Sequence, residues 1–162
     1  MSADGGGGRP GVPIAVDVVI AAPAESVWAE LERIEDHVEW MHDAVAIRFT
    51  SEQRRGVGTE FLCDTKVGPF RLTDEMFVAG WEQGVGITVA HRGVVTGEGR
   101  FRLVPLGRSA TRLSWEEELV FPLWMGAAVG AWFARPVLAF IWRRNLAALK
   151  QRIESGACLR PV

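Results

Sequence analysis

Six short runs of alternating apolar residues follow one another with no helical pattern between them. The chain then closes on one long apolar stretch, residues 119–142, which passes into an amphipathic helix ending near Glu154. Side chains alternate faces along a strand, so each run has one face to bury, and a single long helix is left to cover the sheet they form. The runs occupy residues 45–50, 57–65, 70–78, 85–91, 95–104 and 111–120. Between them lie Arg55-Gly56, Gly68-Pro69, Gly80 through Gly84, Arg92-Gly93 and Leu106-Gly107-Arg108, all with turn chemistry. Connections this short join antiparallel neighbours, so a meander is the economical topology. Upstream, residues 14–20 alternate as a further strand, and Ala22-Pro23 leads into the helical spacing of Val27, Trp28, Leu31 and Ile34. A second short helical piece is expected around residues 36–40. The predicted class is α+β, with seven antiparallel strands, two short helices after the first strand and a long C-terminal helix.

A length of 162 residues suits one domain. The Gly-rich opening, with Gly5 to Gly8 consecutive, cannot bury apolar surface. Residues 1–12 are therefore read as a tail, 13–155 as the domain and 156–162 as a second tail. A net charge of −2 with interspersed signs leaves no clustered basic face for nucleic acid. Cys63 and Cys158 are far apart and no secretory leader precedes them, which points to a reducing cytoplasm. Residues 119–142 reach spanning length with Arg135 as their one charge. Against a span, Pro122 suits a helix start and Pro136 is expected to kink or split the helix. Beyond it, Val137, Phe140, Ile141, Leu146, Leu149 and Ile153 recur at helical spacing, with Arg143, Arg144, Lys150 and Arg152 on the other side. The small-residue segment before the proline, within residues 121–133, is open to three roles: gate to a cavity, membrane-surface contact or homodimer contact.

Four segments carry a family resemblance: Val18-Val-Ile-Ala-Ala-Pro-Ala-Glu-Ser-Val-Trp28, Gly56-Val-Gly-Thr-Glu-Phe61, Gly97-Glu-Gly-Arg-Phe-Arg-Leu103 and Thr111-Arg-Leu-Ser-Trp115. With the order of elements, they make residues 14–154 resemble the START-like (SRPBCC, helix-grip) superfamily, in its polyketide cyclase/dehydrase and lipid-transport branch. The resemblance implies a seven-stranded sheet wrapped around the C-terminal helix, with an internal cavity for a lipid, a polyketide or another apolar small molecule. It does not imply one reaction, because fold does not settle function.

The period of two sorts the strands into faces. Inward from the first strand point Ile14, Val16, Val18 and Ile20; from the next two, Val45, Ile47 and Phe49, then Val57, Thr59, Phe61 and Cys63. The later strands present three polar residues among apolar ones: Asp74, among Phe70, Leu72, Met76 and Val78; His91, after Val85, Ile87 and Val89; and Glu117, among Leu113, Trp115 and Leu119. Asp74 is expected diagonal to His91, and Gly97 between His91 and Glu117, with Gly97 and Gly99 leaving room beside the imidazole. A histidine flanked by carboxylates in an apolar pocket is a candidate general base, so Asp74, His91 and Glu117 are the candidate catalytic group. Each has a structural alternative: a solvated strand end for His91, a bulge turning Glu117 outward, and a purely structural partner for Asp74. Candidate ligand contacts are Trp40, His42, Phe61, Phe70, Leu72, Met76, Val89, Phe101, Trp115 and Trp132, while Trp28, Trp81 and Trp142 are read as packing residues and Trp40 also suits a core cap. His37, His42 and His91 show no metal-ligand spacing, and no phosphate loop or nucleophile turn appears, so no cofactor or metal is called for. Two functions remain: binding or transport of a hydrophobic small molecule, and a cofactor-independent cyclase or dehydratase built on the three polar residues.

Overall fold

β1 (Val12–Ile20) leads into α1 (Ala24–Leu31) and a 3-10 turn (Ile34–Glu39). β2 (Ala44–Phe49), β3 (Glu60–Val67), β4 (Phe70–Glu82), β5 (Gly86–Arg92), β6 (Thr96–Pro105) and β7 (Thr111–Val120) then run up and down before α2 (Ala127–Glu154). The computed structural model describes residues 11–123 and 127–156, and for residues 12 and 127–133 the backbone alone. The seven strands form one sheet in the order β1-β7-β6-β5-β4-β3-β2, antiparallel throughout. This is the helix-grip arrangement the sequence leads one to expect. β1 and β2 are the two edges, so α1 and the 3-10 turn carry the chain from one edge to the other.

The turns form where glycine supplies what other residues resist: Gly68, at φ 58, lets the chain reverse between β3 and β4 within two residues. The inward face of the sheet and the inner face of α2 form the core, where Ile20, Leu31, Val78, Leu113 and Leu149 are fully buried. Each such side chain contributes about 1.5–3 kcal/mol relative to exposure. Polar contacts fix where α2 lies. Lys150 Nζ donates to the Val19 carbonyl at 2.7 Å, and the Ala21 amide donates to Glu154 Oε1 at 2.7 Å, tying the C-terminal half to the end of β1. Asn145, fully buried, donates from Nδ2 to Asp43 Oδ1 at 2.6 Å and accepts from the His42 amide at 2.9 Å. Glu30, also buried, pairs with Arg33 and with Arg152 Nε at 2.8 Å, joining α1 to α2.

Several expectations are corrected. β3 begins at Glu60, because Gly56 and Gly58 both take positive φ, and Val57 between them is exposed. A bulge between Ala44 and Ala46 turns Val45 outward and puts Ala44 inside in its place. β4 runs on to Glu82, with a second bulge between Val78 and Gly80. Pro122 lies outside the helix, and Pro136 does not split it, since α2 is one element across that position. Pro136 is exposed, where water can satisfy the carbonyl it frees. Val137 and Phe140 are exposed, so the buried stripe of α2 is Trp142, Leu146, Leu149 and Ile153 instead, with Leu138 partly buried beside it. Among the described residues no helix is long and apolar enough to cross a membrane.

Candidate functional site

Between the sheet and α2 lies a cavity of about 190 Å³. Phe61, Leu72, Met76, Val89, Phe101 and Trp115 line it from the strands; Leu138 and Trp142 line it from α2. Two stacked indoles form part of the wall: Trp115 and Trp142 have ring centroids 5.0 Å apart with planes 25° from parallel. Phe101 tilts against Trp115 with the same centroid separation.

Asp74, His91 and Glu117 line this one cavity, each brought there by strand alternation. His91 pairs with Met76 across to β4, which sets Asp74 on the diagonal. On the other side His91 faces Gly97 while Glu117 faces Gly99, so the gap between the two side chains spans both glycines and not Gly97 alone. Gly99 has a definite steric role. A Cβ there would sit 2.9 Å from Glu117 Oε1 and 3.1 Å from its Cγ, so the missing side chain is the slot in which the carboxylate lies. From that slot Glu117 Oε1 accepts the Trp115 Nε1 hydrogen at 3.0 Å and approaches His91 Nε2 to 3.7 Å. Gly93 makes room for Asp74 in the same way, with Asp74 Oδ1 2.6 Å from where its Cβ would be.

Burial opposes charge on the His91 imidazole, but Glu117 and then Asp74 outweigh it and hold its pKa above the ordinary histidine value. Burial pushes the Asp74 carboxyl upward, with His91 and the Val95 amide partly countering it and Glu117 adding to it. His91 Nδ1 and Asp74 Oδ1 are buried with no hydrogen-bond partner among the described residues. Buried polar atoms are ordinarily paired, so these two are positions where a bound molecule or water gains most. Such a corner can orient an oxygen-bearing group and can exchange a proton with it.

Of the other expected contacts, Phe61, Leu72, Met76, Val89, Phe101 and Trp115 line the cavity. Three do not. Trp40 is 1% exposed and packs on His37 and Phe101 as a core residue beside the cavity. His42 is exposed, and its amide, not its ring, makes the contact to Asn145. Phe70 opens β4 at the β3–β4 hairpin tip and is 71% exposed. The Trp132 side chain lies outside the described residues, as does most of the 121–133 segment. Trp142, read from the sequence as packing, is a wall residue. His37 and Asp43 also line the cavity; neither stood out in the sequence, since one sits on a 3-10 turn and the other just before β2, where no simple period applies. His37 donates from Nε2 to the Leu31 carbonyl at 2.9 Å, and burial lowers its pKa to about 4, so it is a neutral structural group. Among the described residues no three His, Cys, Asp or Glu side chains cluster as metal ligands would.

Comparisons with known proteins agree with this architecture. Residues 12–154 match the family model described as polyketide cyclase/dehydrase and lipid transport. Among solved structures, a START superfamily protein from Mycobacterium smegmatis is 18% identical, with a TM-score of 0.75 over 88% of this chain and 97% of that one. The Zhui aromatase/cyclase from Streptomyces sp. R1128 is 19% identical, with a TM-score of 0.71 over 90% of this chain and 95% of that one. A conserved protein from Geobacillus kaustophilus is 13% identical, with a TM-score of 0.72 over 90% and 97%. No curated protein matches the sequence.

Proposed function

The chain belongs to the polyketide cyclase/dehydrase and lipid transport family, and from that premise we propose that it binds a compact apolar molecule under α2, with an oxygen of that molecule set against His91 and Glu117. The observation that carries this reading is the cavity itself: apolar on nearly every side, with one largely enclosed ion pair at its polar corner. A pocket of this make-up selects by shape and uses a few polar groups for orientation. Its volume favours a small occupant. A dry apolar cavity of roughly 150 Å³ accepts benzene, so about 190 Å³ suits one or two rings or a short chain. Transport and simple sequestration are both compatible with such binding.

A second reading is a cofactor-independent cyclase or dehydratase, favoured by the unpartnered His91 Nδ1 and by the carboxylates beside that ring. In a dehydration, the neutral imidazole would take the proton from a carbon next to a carbonyl, and Glu117 would stabilise the resulting imidazolium. That imidazolium would then return its proton to the departing hydroxyl, so that a carbon–carbon double bond forms and water leaves. Trp115 holds the carboxylate in place for this role.

Native mass spectrometry of the purified protein, followed by extraction of any co-purifying molecule, tests binding directly. Titration with 2-naphthol, read by quenching of the tryptophan fluorescence to which Trp115 and Trp142 of the cavity wall contribute, supplies a defined probe. Retention of an apolar compound or saturable quenching supports the reading; an empty protein that also ignores 2-naphthol overturns it. If a turnover substrate is found, His91→Ala should abolish turnover, and unchanged turnover removes His91 from the mechanism.

A further inference from the structure

α2 has two faces with different tasks. Leu149 is fully buried and Phe140, nine residues earlier, stands half a turn out of phase and is 59% exposed. Around Phe140 the outer face carries Pro136, Val137, Arg143, Arg144 and Ala147, all exposed, with Val137 at 52%. From Ala127 to Ile153 the helix contains no acidic residue. Among the described residues neither Arg143 nor Arg144 has a carboxylate within salt-bridge distance. Leu123, 66% exposed, lies just ahead of the helix. A soluble helix ordinarily turns charge and amide to water on this face; here an aromatic ring stands between two arginines.

We infer that the outer face of α2 docks on an anionic lipid bilayer, with Phe140 and Val137 entering the interface and Arg143 and Arg144 lying among the headgroups. Exposed apolar side chains flanked by arginine match the make-up of interfacial helices that sink one face to the headgroup boundary. Charge decides between the two candidate occupants. A second copy pairing through the same face would set Arg143 and Arg144 against their own equivalents with no acid on that face to offset them, since a two-fold contact repeats one patch on both sides. An anionic bilayer supplies the missing countercharge at every lateral position. The placement also has a use: Leu138 and Trp142, on the inner face of the same helix, wall the cavity, so one helix would separate bilayer from cavity.

Sedimentation with vesicles tests this. The full chain should pellet with vesicles of phosphatidylglycerol and phosphatidylcholine at low salt and be released as salt rises past the point where surface charges are screened. Arg143→Gln and Arg144→Gln should each weaken partitioning about fivefold, the effect of one basic residue near an anionic surface. Phe140→Ser should weaken it at every salt concentration. All three positions are exposed, so thermal melting of the variants should match the parent and separates docking from folding. Equal pelleting on pure phosphatidylcholine, absence of pelleting on either vesicle, or a concentration-dependent dimer in sedimentation velocity that Phe140→Ser abolishes would each overturn the proposal.

Discussion

Replacing Glu117 with glutamine isolates the charge of the polar corner from its shape. Glutamine can still accept the Trp115 Nε1 hydrogen and still fits the slot at Gly99, so the change removes little except the charge beside His91. Two unit charges at the observed 3.7 Å attract by about 4 kcal/mol at an effective dielectric near 20. Desolvation of both partners consumes part of this, and in the variant His91 can discard its proton, which caps the loss. A destabilisation of about 1–3 kcal/mol at pH 6 follows, or a drop of roughly 2–4 °C in melting temperature per kcal/mol for a chain of this size. The sign with pH is fixed by the direction of the shift. His91 has a folded pKa above its ordinary 6.5, so its contribution is complete below about pH 6.5 and is lost as pH rises through the folded value. Once pH has risen through that value, the parent keeps a largely enclosed carboxylate without a cation, so the two proteins should converge or the variant become the more stable. Urea unfolding of both across pH 5.5–9 reads this out. A difference that does not shrink as pH rises would refute the pairing as the source of the effect.

Gly99→Ala should produce the same loss of pH dependence with no change in charge, because the new methyl displaces Glu117 from its slot. The cost should be about 1–3 kcal/mol, typical of overpacking, and adding Glu117→Ala should relieve it, which urea unfolding of the double variant checks. Cys63 gives an independent probe of the cavity floor, since burial raises its thiol pKa to about 11. In a Cys158→Ser background, Ellman's reagent should label the native protein at least about a hundredfold more slowly than the urea-unfolded chain, and a cavity ligand should slow it further. Native labelling at the unfolded rate would mean that the thiol is not enclosed.

The strand order and the helix at the end could be read from the sequence because period two and period 3.6 are local signals, repeated over enough residues to survive single exceptions. The inward set on β4 to β7 follows largely from alternation, which by itself puts Asp74, His91 and Glu117 on one face. Alternation failed where the backbone broke step: the bulge at Ala44 to Ala46 reversed Val45, and the two positive-φ glycines around Val57 kept it out of β3. It also failed at Phe70, whose parity is inward but which sits exposed at a hairpin tip. On α2 the apolar residues Val137 and Phe140 gave the wrong impression of a core stripe, since they lie on the side turned away from the sheet.

The sequence by itself determined the kinds of element, their order, and which face of each strand is apolar, since these depend on side-chain spacing along the chain. Only the tertiary structure decided how far apart the polar groups stand, that Gly99 rather than Gly97 makes room for Glu117, that Trp142 completes the cavity wall, and which face of α2 is left to solvent. Those outcomes depend on strand register and on the rotation of one helix over the sheet. Both are set by contacts between residues distant in the chain, such as Asn145 with Asp43 and Arg152 with Glu30, which carry no local periodicity.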